Sequence, residues 1–199
     1  MKLMINNQEY FFREISIEFT DTTYTNVFSS KNNKTLRETI KHHRYNRFKG
    51  IVENKYSNSL DNSLGAFLAR MKEEGDLFYR EFLNKNGDKI YSTFRITDRA
   101  AQDSKGIYIY CIDNKIKYIG RCRDSFGKRI NQGYGKIHPK NCFIDGQSTN
   151  CHLNYLVTET KEKVKFFILE LAEEIQIMEL EEMLIKKYQP EWNISLKAN

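Results

Sequence analysis

One glutamate near the C-terminus carries the clearest chemical signal in this sequence. Segment 172–188 predicts a helix, and Glu181 lies among the apolar residues that recur at helical spacing. Its neighbours one turn away are Ile177, Met178, Leu184 and Ile185. A carboxylate on a buried face is costly unless a cation, a metal ion or hydrogen-bond donors meet it. We favour a metal ligand or catalytic acid over a structural ion pair with an arginine, and Glu174, two turns earlier, is the competing glutamate.

Two tyrosines on a predicted hairpin form a second feature. Segment 106–119 predicts two short apolar strands joined by a turn. Tyr108 and Tyr118 lie ten residues apart, so they can share one face of the paired strands. Core aromatic residues with hydroxyls at the rim would give the same pattern. Arg121 directly after the second strand and Arg129 on the next predicted helix favour a catalytic interpretation.

The second half of the chain resembles the GIY-YIG nuclease family. That family's signature is two tripeptides, an arginine on the following helix, a glutamate on a later helix and a downstream asparagine. The matching residues are Gly106-Ile107-Tyr108, Tyr118-Ile119-Gly120, Arg129, Glu181 and Asn193. The resemblance covers about residues 104–199. The closing segment, 181–193, also resembles that of the excinuclease that makes the 3′ incision in nucleotide excision repair.

The resemblance implies a role for each signature residue. Tyr108 would be the general base or would orient the attacking water, and Tyr118 would support it through hydrogen bonds. Arg129 would bind the scissile phosphate. Glu181 would hold a single divalent cation, and Asn193 would brace the site or contact phosphate.

Two further predicted site residues match the family pattern only in part. Arg121 stands where the family often has a basic residue after the second tripeptide. Many members carry Tyr or His four residues after the arginine, but here that position is Gly133, and Tyr134 follows. We include Arg121 and Tyr134 in the predicted site, with His138 as the alternative to Tyr134.

The predicted roles agree with the chemistry of phosphodiester hydrolysis. A tyrosine with a pKa of about 10 is a poor base at neutral pH, but nearby cations lower such a pKa. A guanidinium holds two phosphate oxygens at once. Only one carboxylate lies on the apolar stripe, which favours a single Mg²⁺ ion, and Mn²⁺ could substitute for it. Mg²⁺ accepts one protein carboxylate and completes its coordination shell with water and phosphate oxygens.

The predicted strands and helices that carry these residues indicate an α+β fold. Segment 104–199 has the order strand, strand, helix, helix, strand, helix, which predicts a small three-stranded antiparallel sheet flanked by helices. Residues 1–100 predict an N-terminal α+β extension for DNA recognition. The boundary between the two domains is expected in the polar segment 97–105.

The basic segment 31–49 is the best functional feature of the first half. It holds seven Lys and Arg residues and one acidic residue. A capping-box pattern at 35–38 predicts a helix from there to about residue 49, with basic residues on one face. Such a helix can contact DNA phosphates or the major groove, although its basic face could simply meet water. The predicted DNA contacts are Arg37, Lys41, Arg44, Arg47 and Asn150.

Composition sets the broad class. The 199 residues are 40% apolar and 13% aromatic, with a net charge of +6, which excludes a disordered chain and favours a polyanion partner. No membrane-length apolar run or export signal is found, so a cytoplasmic protein with reduced thiols is expected. A zinc site is the weaker interpretation of four residues: Cys142, Cys151, His138 and His152.

Together these observations predict an endodeoxyribonuclease that hydrolyses double-stranded DNA with Mg²⁺. A type II restriction endonuclease is the first choice, because the chain is short and its extra half precedes the nuclease segment. A homodimer and sequential nicks would both allow cleavage of two strands. The alternatives are a structure-specific nuclease for flaps, junctions or damaged DNA, and a DNA-binding or effector protein with an inactive site.

Overall fold

The computed structural model describes residues 1–194, and residues 195–199, the end of the predicted nuclease segment, lie outside the described residues. The chain divides into two compact units. Unit 1 comprises residues 1–21, 92–136 and 156 onward, and unit 2 comprises residues 22–91 and 137–155. The division differs from the boundary predicted between residues 100 and 104, because each unit contains segments from both halves of the chain.

The elements follow one another along the chain in a mixed order. The strands are β1 (Lys2–Ile5), β2 (Gln8–Phe11), β3 (Arg13–Ile15), β4 (Ile17–Tyr24), β5 (Tyr91–Ile96), β6 (Gly106–Ile112), β7 (Lys115–Cys122) and β8 (Val164–Glu170). The α-helices are α1 (Leu36–Thr39), α2 (Lys49–Lys55), α3 (Leu64–Glu73), α4 (Arg99–Asp103), α5 (Ser148–Glu159) and α6 (Glu174–Tyr188). A π-helix covers Lys128–Tyr134. This mixed content of helices and sheets is compatible with the predicted α+β class.

Unit 1 is built on a four-stranded antiparallel sheet with the order β3-β8-β6-β7. The prediction of three strands is therefore wrong. The additional strand, β3, comes from the N-terminal segment, and Arg13 to Ile15 pair with Ile168 to Phe166 of β8. Two further sheets, β1–β2 and β4–β5, have two strands each.

Helix α6 covers one face of the four-stranded sheet. Ile107 and Ile109 of β6 form a core with residues of α6 such as Ile177 and Leu184. Side chains of a strand alternate between its two faces, so the even-numbered residues of β6 lie on the opposite face. That alternation separates the helix-covered core from the face that carries Tyr108.

Unit 2 is formed by helical segments around an aromatic core. The capping box at Thr35 is present, but the helix that it begins ends at Thr39, and α2 starts only at Lys49. The predicted continuous helix over residues 35–49 is wrong. Leu36 and Tyr45 are both buried, whereas a straight helix would place them on opposite sides because they are nine residues apart.

Candidate active site

The β6–β7 hairpin brings the two signature tyrosines onto one face of the sheet. Tyr108 lies opposite Gly120, and Tyr110 lies opposite Tyr118. Because strand side chains alternate between faces, the three tyrosines project from the same side. The ring centroids of Tyr108 and Tyr118 are 5.9 Å apart. The prediction that these two tyrosines share a face is confirmed.

Gly120 makes room for the phenol of Tyr108. A Cβ atom at Gly120 would lie 2.5 Å from Cζ and 2.6 Å from Oη of Tyr108, and 2.6 Å from a ring carbon of Tyr118. Non-bonded carbon atoms pack at about 3.5–4.0 Å, so any side chain here would displace both rings. The glycine of the second tripeptide therefore has a steric function beside the two tyrosines.

Arg129 approaches Tyr108 from the π-helix. Its Nε donates a hydrogen bond to Oη of Tyr108 over 3.3 Å, and its guanidinium lies 5.6 Å from the ring centre of Tyr134. The phenol of Tyr108 raises the pKa of Arg129 while burial opposes that rise, so Arg129 stays cationic. Turns of π-helix are rare and occur frequently at functional sites. The arrangement holds a permanent positive charge against one phenol.

The hydroxyls of Tyr110 and Tyr134 contact each other next to the ring of Tyr108. They are 3.1 Å apart, both residues are fully buried, and the ring of Tyr134 lies 6.2 Å from that of Tyr108. Burial raises the pKa of both hydroxyls, so they stay protonated at neutral pH. Tyr134 therefore joins the predicted cluster, whereas His138 belongs to unit 2. Sequence reasoning missed Tyr110, although its position two residues after Tyr108 puts it on the same strand face.

Glu181 is buried on α6 and paired with Arg121. The residue is 8% exposed, and its Oε2 accepts a hydrogen bond from Nη1 of Arg121 over 2.7 Å. The structural ion pair that the sequence left as an alternative is therefore present. Glu174 is exposed in the first turn of α6, and Met178, expected on the apolar stripe, is also exposed.

The charges of the Glu181–Arg121 pair and of the tyrosine cluster act on one another. Burial raises the pKa of the Glu181 carboxyl, against the positive charges of Arg121 and then Arg129. Burial also raises the pKa of the Tyr118 hydroxyl, and the charge of Glu181 adds to that rise. Arg121 lies on the α6 side of β7, the edge strand of the sheet. The carboxylate therefore lies on the α6 side of the sheet, and it still interacts electrostatically with Tyr118 and Arg129.

Asn193 braces β7 at Ile119, the middle residue of the second tripeptide. Its Oδ1 accepts from the backbone N–H of Ile119 over 3.0 Å, and its Nδ2 donates to the carbonyl of Ile119 over 2.8 Å. Both bonds are buried, and both ends of the amide are bonded to the backbone of Ile119. Of the two roles implied for Asn193, the geometry supports bracing rather than phosphate contact.

The donor set was tested against a divalent cation. Residues 1–194 contain no cluster of three or more His, Cys, Asp or Glu side chains arranged for a metal ion. Glu181 alone fits the mode in which Mg²⁺ takes one protein carboxylate and fills its shell with water and phosphate oxygens. Its raised pKa fits as well, because a buried carboxylate is stabilised by any cation that joins it.

The cysteines offer no second metal centre within the described part of the chain. Cys111, Cys122, Cys142 and Cys151 are all buried and free of disulfide bonds. The zinc interpretation gains no support from residues 1–194, and reduced thiols stay a prediction.

The predicted DNA contacts of unit 2 are mostly engaged within the protein. Arg37 makes two hydrogen bonds to Asp61, at 2.9 and 3.0 Å. Arg44 donates to the carbonyl of Ile144, and Arg47 lies 3.7 Å from Glu81. Lys41 is exposed but lies in the turn after α1, so the expected basic helix face does not form. Asn150 is only 3% exposed and bonds to Gln147, which removes it as a surface contact.

Comparison with known proteins gives one partial likeness. The chain is 30% identical over 95 residues to the UvrABC system protein C of Fusobacterium nucleatum subsp. nucleatum. The match covers 48% of this chain but 14% of that protein's length. No protein-family profile matches the chain, and no solved structure matches it. Among residues 1–194, no helix is long and apolar enough to cross a membrane.

Proposed function

We propose that this chain is a Mg²⁺-dependent DNA endonuclease of the restriction type. The observation that carries the proposal is the contact between Arg129 and Tyr108, together with the buried carboxylate of Glu181, on which the charge of Arg129 acts. A phenol that can activate or orient water, a guanidinium for the phosphate and a carboxylate for a cation together suit in-line attack on a phosphodiester. The likeness to UvrABC system protein C supports the same reaction class.

Each residue of the site has a defined task in this proposal. The guanidinium of Arg129 binds the scissile phosphate and stabilises the charge that develops on it. Tyr108 acts as the general base or orients the attacking water, and Arg129 holds its hydroxyl oxygen through a hydrogen bond. Tyr118 and Tyr134 stay protonated and exclude water from the back of the site. Gly120 and Asn193 fix the strand that carries Tyr118.

The divalent cation would be held by Glu181. When bound there it would neutralise phosphate charge and stabilise the departing 3′ oxygen. Arg121, whose side chain is 35% exposed, now neutralises Glu181, and it would keep the carboxylate ionised in the absence of a metal. Arg121 therefore acts as a positioning residue for the carboxylate.

The decisive assay incubates the purified chain with a phage genome and Mg²⁺ and sequences the ends that form. Wild type is expected to give discrete fragments with a common sequence at their ends. Glu181→Gln should abolish this cleavage while the affinity for DNA in EDTA stays within about twofold. Glu182→Gln is the matched control, because it removes the same charge from the next residue, which is exposed and paired with Lys186.

Two outcomes would change the proposal. Full cleavage by Glu181→Gln would remove the metal from this carboxylate. Retained DNA affinity with no cleavage of any substrate by wild type would favour a binding protein with an inactive site.

A structure-specific nuclease is the second candidate function. The likeness to UvrABC system protein C favours it, since that match covers nearly half of this chain. The two candidates differ in substrate choice. A structure-specific enzyme would cut flap or junction oligonucleotides whatever their sequence and would leave linear plasmid DNA intact.

A further inference from the structure

Unit 2 contains a small polar cavity lined by lysines. Its volume is about 250 Å³, which is below the usual range for drug-sized ligands but sufficient for a small anion. Three lysines line it, from two separate segments of unit 2: Lys31, Lys34 and Lys140. The remaining walls include His42, Tyr45 and Asp145.

Asp145, the acidic residue of the cavity, is already engaged. Its Oδ1 accepts a hydrogen bond from the hydroxyl of Tyr45 over 2.5 Å and lies 3.8 Å from Nζ of Lys31. Burial alone would raise the pKa of Asp145, but the Tyr45 hydrogen bond and the charge of Lys31 lower it. Asp145 therefore stays ionised and offsets Lys31.

Lys31 is fixed in place while Lys34 and Lys140 are not neutralised. The Lys31 ammonium lies 4.1 Å from the ring centre of Phe143, and its side chain is largely buried. Lys34 and Lys140 have no ion pair with an acidic residue among residues 1–194. Burial chiefly lowers the pKa of Lys31, and the charges of Lys34 and Lys140 lower it further. Lys34 and Lys140, which line the same cavity, each repel the ammonium of Lys31, and an anion between the lysines would relieve that repulsion.

We propose that this cavity binds a phosphate group through Lys34, Lys140 and Lys31. Ammonium groups bind phosphate as point charges, and three of them around one small cavity match its tetrahedral oxygens. The phosphate can come from a DNA backbone, from a DNA 5′ end or from a free phosphate ester. The DNA sources rest on the proposed function, whereas phosphate binding itself does not require that unit 1 cuts DNA.

The test compares two double variants of the full-length chain. Lys34→Gln/Lys140→Gln removes two exposed lysines from the cavity. Lys85→Gln/Lys89→Gln removes two exposed lysines of the same unit outside it, with the same change of charge. Lys31 is left intact, because its loss would leave Asp145 buried without its cation.

The first measurement is the melting temperature in sodium phosphate against sodium chloride at equal ionic strength. A ligand that binds the folded state raises its stability, so wild type and the Lys85/Lys89 variant should melt higher in phosphate. The Lys34/Lys140 variant should lose most of that rise.

The second measurement is the affinity for labelled duplex DNA in EDTA over a range of salt concentrations. Loss of one phosphate contact should reduce the slope of log Kd against log salt by about 0.9. A reduction with unphosphorylated duplex identifies the backbone as the source, and a reduction seen only with a 5′-phosphorylated duplex identifies the end. Loss of phosphate stabilisation without any change in slope identifies a free phosphate ester.

The proposal is overturned if the cavity variant matches the Lys85/Lys89 control in both measurements. Neither measurement depends on cleavage. An absence of nuclease activity would therefore contradict the proposed function and leave the phosphate site standing.

Discussion

Each unit of this protein contains an arginine whose Nε donates to a tyrosine hydroxyl. In unit 1 Arg129 contacts Tyr108 over 3.3 Å, and in unit 2 Arg80 contacts Tyr79 over 3.2 Å. The two contacts are almost identical in distance. Their surroundings decide what each can do.

The phenol in unit 2 is satisfied by a carboxylate. Tyr79 donates to Asp88 over 2.8 Å, and Asp88 also pairs with Lys72 over 2.6 Å. Arg80 therefore contacts a phenol that already donates to a carboxylate. Within residues 1–194, the hydroxyl of Tyr108 has no carboxylate partner, and its neighbours are aromatic rings and one guanidinium. An arginine beside a tyrosine becomes a candidate for catalysis only where no acid neutralises the pair.

Substitution of the two arginines gives the largest expected contrast. If Arg129 stabilises the phosphate in the transition state as proposed, Arg129→Ala should lower the cleavage rate by about 10²- to 10³-fold. Arg80→Ala should leave the rate within about twofold. Single-turnover cleavage with excess enzyme measures both. Equal rates for the two variants would show that the Arg129–Tyr108 contact is no more important for cleavage than the Arg80–Tyr79 contact.

A change at Gly120 tests how tightly the phenol in unit 1 is placed. Gly120→Ala should lower the free energy of unfolding by about 3 kcal/mol, because its Cβ would lie 2.5 Å from Tyr108. Gly133→Ala is the control, since the nearest atom there would be 3.4 Å away. Urea unfolding of both variants provides the comparison. A Gly120→Ala variant as stable as the control would mean that the rings pack loosely.

A third prediction concerns how the stability of the protein depends on pH through Glu181, the buried glutamate that is paired with Arg121. Its folded-state pKa is raised by burial, so the unfolded chain binds fewer protons through the acidic range. Its contribution to stability is therefore present below the unfolded pKa and is lost as pH rises through the folded pKa. Wild type should gain stability relative to Glu181→Gln when the pH falls from 7 to 4. A constant difference in urea unfolding over that range would show that Arg121 compensates the burial fully.

The positions of the main candidate site residues were predictable because local periodicity fixes them. Strand alternation and a short turn put Tyr108 and Tyr118 on one face, and helical spacing identified Glu181 as buried. Alternation could also have identified Tyr110. The choice between a free carboxylate and the Arg121 pair depends on side-chain geometry across two elements, so the sequence left both open.

The errors concern features that depend on distant segments. Strand β3 pairs with β8 across more than 140 residues of chain, and no local pattern specifies such a partner. The helix predicted over residues 35–49 breaks because Leu36 and Tyr45 must both reach one core. Charge counting likewise could not reveal that Asp61 engages Arg37. The roles assigned to the site residues remain predictions.

The most direct test of the account is the single-turnover cleavage rate of Tyr108→Phe beside that of Tyr110→Phe. Both variants lose one hydroxyl from the same strand face, but only Tyr108 bonds to Arg129. The account predicts that Tyr108→Phe is about 10²-fold slower than wild type, while Tyr110→Phe stays within a few-fold. Cleavage by Tyr108→Phe at the wild-type rate would contradict it.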